Sequence, residues 1–244
     1  MRYKSEKEFL DAYDASVFDR PSVTSDILIF SVSDAPAENW RRTNKKSFSV
    51  LLVKRDDYPD LGKWNLPGGF VGMNETSMDA AHRILKRETG VRDSVYLEQL
   101  YTFDTPNRDP RTRVISIAYM ALVDKSKLRY IGTHTAKWFD IKLDNNKLIF
   151  SDELKESDLA FDHRDIIKMG MMRLRNKIEW TDIVFDMMPR EFTLGELQQV
   201  YEIILDKTFI PTAFRRMIAS KVVAIGKMCT GAGHRPSALF RKKG

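Results

Sequence analysis

The feature that most constrains this chain is the spacing of glycine, charged and aliphatic residues in 69–91, GFVGMNETSMDAAHRILKRETGV. Residues 78–89 have the apolar periodicity of an amphipathic helix, and Gly90 follows as a helix stop. The apolar run SFSVLLVKRDD, from Ser47, alternates like a strand, and the turn-rich segment GKWNLPGGF lies between strand and helix. The sequence therefore predicts a strand, a glycine-rich loop and a helix in direct succession.

This arrangement resembles the Nudix box, G-x5-E-x7-R-E-U-x-E-E-x-G-U, in which U is a bulky aliphatic residue. The matching positions are Gly69, Glu75, Arg83, Leu85, Glu88, Gly90 and Val91. Ile84 and Arg87 depart from the pattern, because both stand where the box has glutamate. The resemblance implies an α/β/α sandwich with a mixed sheet that binds a nucleoside diphosphate. The alternative interpretation is a generic amphipathic helix without a site.

The two departures change the chemistry of one helix face. Residues 84, 87 and 88 are three and four positions apart and share that face. Three carboxylates there would bind magnesium, whereas Ile, Arg and Glu carry no net charge. We therefore expect ligand binding with little or no metal and no catalytic residues. We also expect Arg87 to contact phosphate oxygens directly.

Other residues are candidates for ligand contact because of their chemistry. Guanidinium groups suit phosphates, aromatic rings stack on adenine, and glycines let the backbone approach a ligand closely. The full set of candidates comprises Arg55, Trp64, Gly68, Gly69, Phe70, Arg87, Glu88, Arg108, Asp109, Arg111 and His163.

Each candidate also has a structural alternative. Arg108, Asp109 and Arg111 of the loop TPNRDPRTR could belong to a solvated surface, and Arg55 could form a surface salt bridge. The two aromatic residues could pack in the core, and His163 could hydrogen-bond locally. Arg83 and Glu88 could pair with each other or with Glu75 to hold the box loop.

Composition indicates a globular protein with one large domain or two smaller ones, since it has 244 residues, 30% of them charged and 43% hydrophobic. The N-terminal segment is polar, and no apolar run approaches the length of a membrane span. Cys229 is the single cysteine, which excludes an internal disulfide and a cysteine-based zinc cluster. We expect a cytoplasmic protein.

The net charge of +6 is concentrated at one end of the chain. Residues 1–189 are balanced, and the whole excess lies in 190–244, where no acidic residue follows Asp206. A basic segment beside a neutral domain is typical of a nucleic-acid contact. A solvated tail is the alternative, but the segment is patterned and not of low complexity.

The pattern in the basic segment predicts a winged helix-turn-helix. Thr193 and Glu196 form a capping box that opens one helix, and Pro211 suits the first turn of the next. A strand from Val222, a glycine-rich hairpin and a returning strand ALFR would form the wing. The residues expected to contact DNA are Thr212, Arg215, Arg216, Lys221, His234 and Arg235. A small helical packing module is the alternative.

Taken together, the halves resemble the NrtR family, the Nudix-related transcriptional regulators of NAD metabolism. The resemblance covers nearly the whole chain. It rests on the Nudix-like box that lacks two glutamates, on FRR and HRPSALFR near the end, and on the segments YTFDTPNRDPRTRVISIAY and LAFDHRDII. It implies a homodimeric repressor that binds a palindromic operator near NAD biosynthesis or salvage genes. It also implies ADP-ribose as the effector that releases DNA, with no cofactor required.

We accordingly expect a Nudix-like ligand-binding domain in residues 1–180 and the winged helix in 181–244, with the boundary between Trp180 and Pro189. The segment before Ser25 could be helical and help to form the dimer. Two other functions stay open. One is an active hydrolase that cleaves ADP-ribose or a related nucleoside diphosphate with unusual metal ligands, and the other is a ligand-binding structural module that touches neither DNA nor a reaction.

Overall fold

A mixed sheet forms the centre of the first domain. The computed structural model describes residues 3–34, 45–90, 95–125, 128, 136–229 and 236–244. The strands are β1 (Ser22–Asp34), β2 (Lys46–Lys54), β3 (Trp64–Asn65), β4 (Gly68–Phe70), β5 (Tyr96–Phe103), β6 (Val114–Asp124), β7 (Ala136–Asp144) and β8 (Lys147–Phe150). The order is β5-β6-β1-β2-β7-β8, with β3 on β2 and β4 on β1. Strands β1 and β6 pair in parallel and the other described pairs are antiparallel, so the predicted mixed sheet is confirmed.

Helices cover both faces of this sheet. The helices of the first domain are α1 (Glu6–Ala12), α2 (Ser77–Thr89) and α3 (His163–Ile178). Successive side chains of a strand point to opposite faces. Ile27 and Ile29 of β1 therefore pack in the cluster that includes α2, whereas Leu28 and Phe30 pack in the cluster that includes α3. The expected α/β/α sandwich is confirmed.

Helix α3 crosses the sheet closely at Gly170, where an added Cβ would lie 2.0 Å from Cδ2 of Leu28.

Helix α1 lies in the N-terminal segment, which is helical as predicted, and none of its residues is buried. Its part in a dimer stays a prediction.

The C-terminal part is a winged helix-turn-helix, as predicted. Its elements are β9 (Phe192–Thr193), α4 (Leu194–Leu205), α5 (Pro211–Ile218), β10 (Val222–Cys229) and β11 (Ser237–Lys242). The capping box of Thr193 and Glu196 opens α4, and Pro211 occupies the first turn of α5. The strands form a sheet in the order β10-β11-β9. Residues 230–235, which include part of the predicted hairpin, lie outside the described residues.

The two parts share one hydrophobic cluster. Phe48 and Val50 of β2 belong to the same cluster as Leu197 and Tyr201 of α4. The segment that connects the parts contains a short 3-10 helix, Ile183–Met187, whose residues are mostly buried in that cluster. Domain boundaries usually fall in exposed linkers, so this connection is unusually well packed. The domain limits themselves stay a prediction. None of the described helices is long and apolar enough to cross a membrane.

Candidate functional site

Helix α2 begins and ends on local signals that place it under the glycine-rich loop. The Thr76 hydroxyl accepts a hydrogen bond from the Asp79 N–H at 3.1 Å, and the Asp79 carboxylate accepts one from the Thr76 N–H at 3.0 Å. Together they form a capping box. Gly90 ends the helix with a φ of 63°, a conformation that favours glycine.

Ile84 fills its box position with apolar packing. The side chain is fully buried in a cluster with Ile27, Ile29 and Leu51. A Cβ at Gly69 would lie only 3.6 Å from Cδ1 of Ile84, so this residue also supports the glycine turn from below. An isoleucine in such a site can neither bind a cation nor act as a base.

Arg87, at a box position that has glutamate in the family pattern, donates hydrogen bonds to two oxygens. Its Nε donates to Oε1 of Glu88 at 2.6 Å, and its Nη2 donates to the carbonyl oxygen of Gly68 at 3.2 Å. The Glu88 side chain is 4% exposed, whereas that of Arg87 is 43% exposed. The guanidinium is therefore held by the box and still reaches solvent.

The magnesium that the box implies does not fit these residues. A hard cation requires several oxygen ligands, but Ile84 offers none and Glu88 is already bound to Arg87. Within the part of the chain that the structure describes, no group of three or more potential metal-ligating side chains occurs.

Glu75 and Arg83 pair with each other and hold the box loop, which is one of the arrangements left open by the sequence. Arg83 Nε donates to Oε2 of Glu75 at 3.0 Å, and Glu75 also accepts a hydrogen bond from the Gly72 N–H at 2.8 Å. The hydrogen bonds from Arg83 and Gly72 hold the pKa of Glu75 below its usual range. Arg83 Nη2 further donates to the Phe70 carbonyl at 3.2 Å.

A pocket of about 200 Å³ lies against this part of α2. Its lining residues are Val53, Lys54, Arg55, Asp56, Asp57, Asn65, Pro67, Gly68, Arg87 and Glu88. Four of the predicted ligand residues therefore meet at one pocket, namely Arg55, Gly68, Arg87 and Glu88. The other lining residues were not predicted as ligand contacts, since a single sequence does not show which residues face a common pocket.

Arg55 is positioned by its neighbours at the edge of this pocket. Its Nε donates to the Pro59 carbonyl at 2.7 Å, and its guanidinium carbon lies 4.9 Å from the ring centre of Phe161. Cation–π contact of this kind fixes the group and leaves its positive charge intact. Contact of Arg55 with a ligand stays a prediction.

The two candidate aromatic residues have different surroundings. Trp64 packs edge-on against Phe139 with ring centres 4.8 Å apart, at the border of the core, which is the alternative role given above. Phe70 is half exposed, and Arg111 lies over its ring at 5.7 Å. Stacking of either ring on adenine stays a prediction.

The three candidate residues of the TPNRDPRTR loop, Arg108, Asp109 and Arg111, are paired within the protein and not simply solvated. Arg108 donates to Asp162 at 2.6 and 2.8 Å and lies 3.6 Å from Asp26, with 5% of its side chain exposed. Asp109 accepts from Arg111 Nη2 at 2.7 Å, and these hydrogen bonds hold the pKa of Asp109 below its usual range. Arg111 is the most accessible of the three candidates. Ligand contact by any of them is untested.

His163 makes a hydrogen bond within the protein, but its partner Leu66 lies 97 residues away in the sequence, so the bond is not the local one given as the alternative. Its Nδ1 accepts from the Leu66 N–H at 2.9 Å, and its Nε2 lies 3.9 Å from Oδ2 of Asp26. Burial lowers the pKa of His163, which favours the neutral ring. Asp26 also lies beneath the glycine turn, because a Cβ at Gly68 would meet its Oδ1 at 2.2 Å. Asp26 was not among the residues predicted for the site, although a carboxylate before the apolar run ILIF is a signal for a buried polar group.

Helix α5 presents three of the six predicted DNA contacts to solvent. Thr212, Arg215 and Arg216 are exposed, whereas Phe214 and Ile218 are buried against α4 and the core. Among the described residues, Arg215 and Arg216 take part in none of the ion pairs found within 4.0 Å. The side chains on this outer face are available to a polyanion.

The remaining predicted DNA contacts, Lys221, His234 and Arg235, follow α5 in the chain. Lys221 Nζ donates to the Thr181 carbonyl at 2.7 Å and lies 3.4 Å from Asp182, so it ties the start of the wing to the interdomain segment. A DNA contact by Lys221 would require it to leave these partners, and it stays a prediction. His234 and Arg235 lie outside the described residues.

Comparisons with known proteins agree with this two-part architecture. Residues 40–154 match the NUDIX domain family, and residues 184–241 match the NrtR DNA-binding winged helix domain. The chain is 35% identical to the ADPR responsive transcriptional repressor NtrR of Acinetobacter baylyi over 99% of this chain and 90% of that protein. It is also 38% identical to an ADP-ribose pyrophosphatase of Methanocaldococcus jannaschii, over 54% of this chain and 70% of that protein.

Solved structures extend the similarity to both parts. Shewanella oneidensis NrtR complexed with a 27mer DNA has a TM-score of 0.71 and 29% identity, over 91% of this chain and 93% of that chain. The NUDIX domain of the same protein, complexed with ADP ribose, has a TM-score of 0.51 and 28% identity, over 70% of this chain and 99% of that chain. The full-length similarity to the Acinetobacter repressor and the match to the NrtR winged helix show the family: the chain belongs to the NrtR transcriptional regulators, in which a Nudix domain precedes a winged-helix DNA-binding domain.

Proposed function

We propose that this chain is a cytoplasmic repressor of NAD biosynthesis or salvage genes that ADP-ribose releases from DNA. The observation that carries the proposal is the position of Arg87, held between Glu88 and the Gly68 carbonyl at the former metal site. A guanidinium there can bind phosphate oxygens. It cannot lower the pKa of a bound water as a metal does, so the pocket keeps a ligand without cleaving it.

The pocket suits the diphosphate of ADP-ribose. Arg55 and Arg87 line it together with the backbone of Gly68, and this combination of cations and close backbone is suited to phosphate. Its volume of about 200 Å³ is below the range for pockets that enclose a whole small ligand, ~300–1,000 Å³. The adenine and the distal ribose would therefore extend outside it, and Phe70 with Arg111 offers an aromatic and cationic surface nearby. No metal ion or other cofactor is needed for this binding.

DNA binding is assigned to the exposed face of α5. A homodimer would present two such helices, and its two-fold axis would match a palindromic operator. Phosphate contacts from Arg and Lys would supply much of the affinity, while a few side chains read bases. If ADP-ribose favours an arrangement that weakens DNA binding, the operator must weaken ADP-ribose binding by the same factor.

The test is fluorescence anisotropy with a palindromic operator from the chain's own upstream region and with neighbouring promoter fragments as alternatives. We expect specific binding that is lost as ADP-ribose rises, with the same midpoint in EDTA and in magnesium. Operator affinity that saturating ADP-ribose leaves unchanged would contradict the proposal. ADP-ribose binding that requires magnesium would contradict the role given to Arg87.

An active hydrolase is the second candidate, favoured by the similarity to the Methanocaldococcus pyrophosphatase and by the retained Glu75 and Glu88. Turnover of ADP-ribose with a panel of divalent metals tests it, and we expect none. The double variant Ile84→Glu and Arg87→Glu restores the box carboxylates. Turnover by this variant alone would show that the scaffold lacks only its metal ligands, whereas turnover by the wild-type chain would favour the hydrolase.

A further inference from the structure

Helix α3 contacts the floor of the ligand pocket at one end and the first helix of the winged helix at the other. We propose that α3 is the element that couples ADP-ribose binding to DNA binding, with Phe161 as the contact at the pocket and Arg175 as the contact at α4. This inference rests on the proposed function and specifies how its two sites communicate.

The start of α3 is attached to the segment that forms the pocket floor. The Ala160 N–H donates to the Trp64 carbonyl at 2.8 Å, and the Leu66 N–H donates to Nδ1 of His163 at 2.9 Å. Two residues before α3, the ring of Phe161 lies under the guanidinium of Arg55, which lines the pocket. The beginning of α3 therefore follows any movement of the pocket floor or of Arg55.

Phe161 itself has an unusual backbone. Its φ of 53° lies in the left-handed region, which residues other than glycine seldom adopt. The Phe161 N–H donates to Oδ2 of Asp60 at 3.1 Å, and the contact with Arg55 holds the ring. A phosphate that draws Arg55 toward the pocket would remove one of the interactions that maintain this conformation.

The middle of α3 is a natural pivot. Gly170 lets the helix approach β1 so closely that an added Cβ would overlap Leu28. Because an α-helix moves largely as a rigid rod, a small displacement at its first turn is transmitted to its last turn about such a contact.

The last turns of α3 are attached to the winged helix by Arg175. Its Nε donates to the Ile204 carbonyl in the last turn of α4 at 2.8 Å, and its Nη2 donates to the Leu143 carbonyl of β7 at 3.0 Å. The final carbonyls of a helix lack partners within it and attract a cation. One guanidinium thus joins α3, β7 and α4.

Movement of α4 would reach the DNA-binding helix through buried aromatic packing. Tyr201 of α4 and Phe214 of α5 are both buried, with ring centres 5.4 Å apart. Since tightly packed cores transmit displacement and do not absorb it, α5 should shift with α4.

A second connection exists, but it is less suited to movement. Strand β2 runs from the pocket residue Lys54 to Lys46, whose Nζ lies 3.1 Å from Glu196 of α4 and 2.7 Å from Asp34. However, β2 is hydrogen-bonded to β1 on one side and β7 on the other. These ladders oppose displacement of β2 alone, whereas α3 lies on the surface of the sheet.

The experiment measures the coupling factor, which is the operator Kd with saturating ADP-ribose divided by the Kd without it. Arg175→Met removes the hydrogen bonds to Ile204 and Leu143 but keeps most of the length of the side chain. Lys142→Met is the matched control, because Lys142 also joins β7 to the end of α4, through Asp206 at 3.0 Å, and this ion pair does not involve α3. Phe161→Leu tests the other end of α3 and serves as the second variant if Arg175→Met does not fold.

We expect a wild-type coupling factor of roughly 5–150. Arg175→Met and Phe161→Leu should each lower it at least threefold while both ligands still bind separately, and Lys142→Met should keep the wild-type value. Folded Arg175→Met and Phe161→Leu proteins with wild-type coupling would overturn the role of α3, as would an equal loss in Lys142→Met. A wild-type chain that binds the operator without any response to ADP-ribose would overturn the proposed function and this inference with it.

Discussion

The proposed ligand pocket and helix α5, the proposed DNA-binding helix, both carry arginines, but they hold them differently. Around the pocket, Arg87 is bound to Glu88, and in the loop nearby Arg108 is bound to Asp162. On α5, Arg215 and Arg216 are exposed and make no ion pair with a residue that the structure describes. The first group is fixed in place by carboxylates, whereas the second is free to move.

This difference corresponds to two kinds of anion. A small diphosphate is recognised by groups held in one geometry, since little conformational entropy is then lost when it binds. DNA is an extended polyanion whose counterions are released on binding, and exposed arginines can adjust to its phosphates and base edges. Paired arginine should thus contribute to folding and selectivity, and unpaired arginine mainly to affinity for DNA.

The largest effect should come from restoring one carboxylate of the box. Ile84→Glu places a charge in a fully buried apolar cluster, so the free energy of unfolding should fall by ~3–5 kcal/mol. Urea unfolding measures this change. The control Ile84→Val should cost only ~0.5–1.5 kcal/mol. If Ile84→Glu were as stable as Ile84→Val, the site around residue 84 would have to open to water. The pocket would then not hold its arginines in one fixed geometry, as we infer from the comparison with α5.

The next largest effect concerns the unpaired arginines. Arg215→Ala and Arg216→Ala should each weaken operator binding by ~1–3 kcal/mol, or roughly 5- to 150-fold in Kd. Neither should alter ADP-ribose binding or thermal stability appreciably, because both side chains lie on the surface. Anisotropy at fixed salt measures the change, with the exposed Lys147→Ala on β8 as control. If these variants lost thermal stability and kept their operator affinity, the distinction between paired and unpaired arginines would be contradicted.

A smaller effect is expected from the paired arginine in the pocket. Arg87→Met removes the cation that we propose binds phosphate and leaves Glu88 without this partner, so ADP-ribose affinity should fall by ~1–2 kcal/mol while operator binding without ligand persists. Isothermal titration calorimetry in EDTA measures it, and Lys86→Met, on the exposed side of α2, is the control. Equal affinities for the two variants would remove Arg87 from the ligand site.

The smallest effect should appear in the pH dependence of stability. Hydrogen bonds from Arg111 lower the pKa of Asp109 in the folded protein. This stabilisation is complete above the unfolded pKa of about 3.9 and is lost as pH falls through the lower folded value. Asp109→Asn should therefore flatten the acid limb of a thermal unfolding profile below about pH 4. Asp104→Asn, at an exposed position, is the control and should leave the acid limb unchanged. Identical acid limbs for the two variants would show that the pair of Asp109 and Arg111 contributes nothing to stability.

Much of the fold was predictable because local rules and spacing govern it. The box predicted α2 and the glycine turn, and the capping box at Thr193 with Pro211 predicted both helices of the winged helix. The apolar run from Ser47 predicted β2, although its residues are buried continuously and not in the predicted alternation, because strands pair on both of its edges and both faces are covered. Such signals act within a few residues and do not depend on the rest of the chain.

The site was predictable only in part. The sequence identified Arg55, Gly68, Arg87 and Glu88, which do line one pocket. It did not identify the internal partners of the charged candidates, such as Asp162 for Arg108, because these are distant in sequence. A single sequence shows which residues can bear charge, but not which of those charges are already paired.

By itself, the sequence determined that the chain has a Nudix-like half in which Ile84 and Arg87 replace two of the box glutamates, and a basic winged-helix half, because motif spacing and charge are properties of the linear chain. Only the tertiary structure decided that the halves share one core and that Arg87 bonds to Glu88 and Gly68. It also decided that α3 contacts both the pocket floor and α4. The physical reason is that burial and pairing depend on contacts between residues far apart in sequence, and these exist only once the sheet and its helices have packed together.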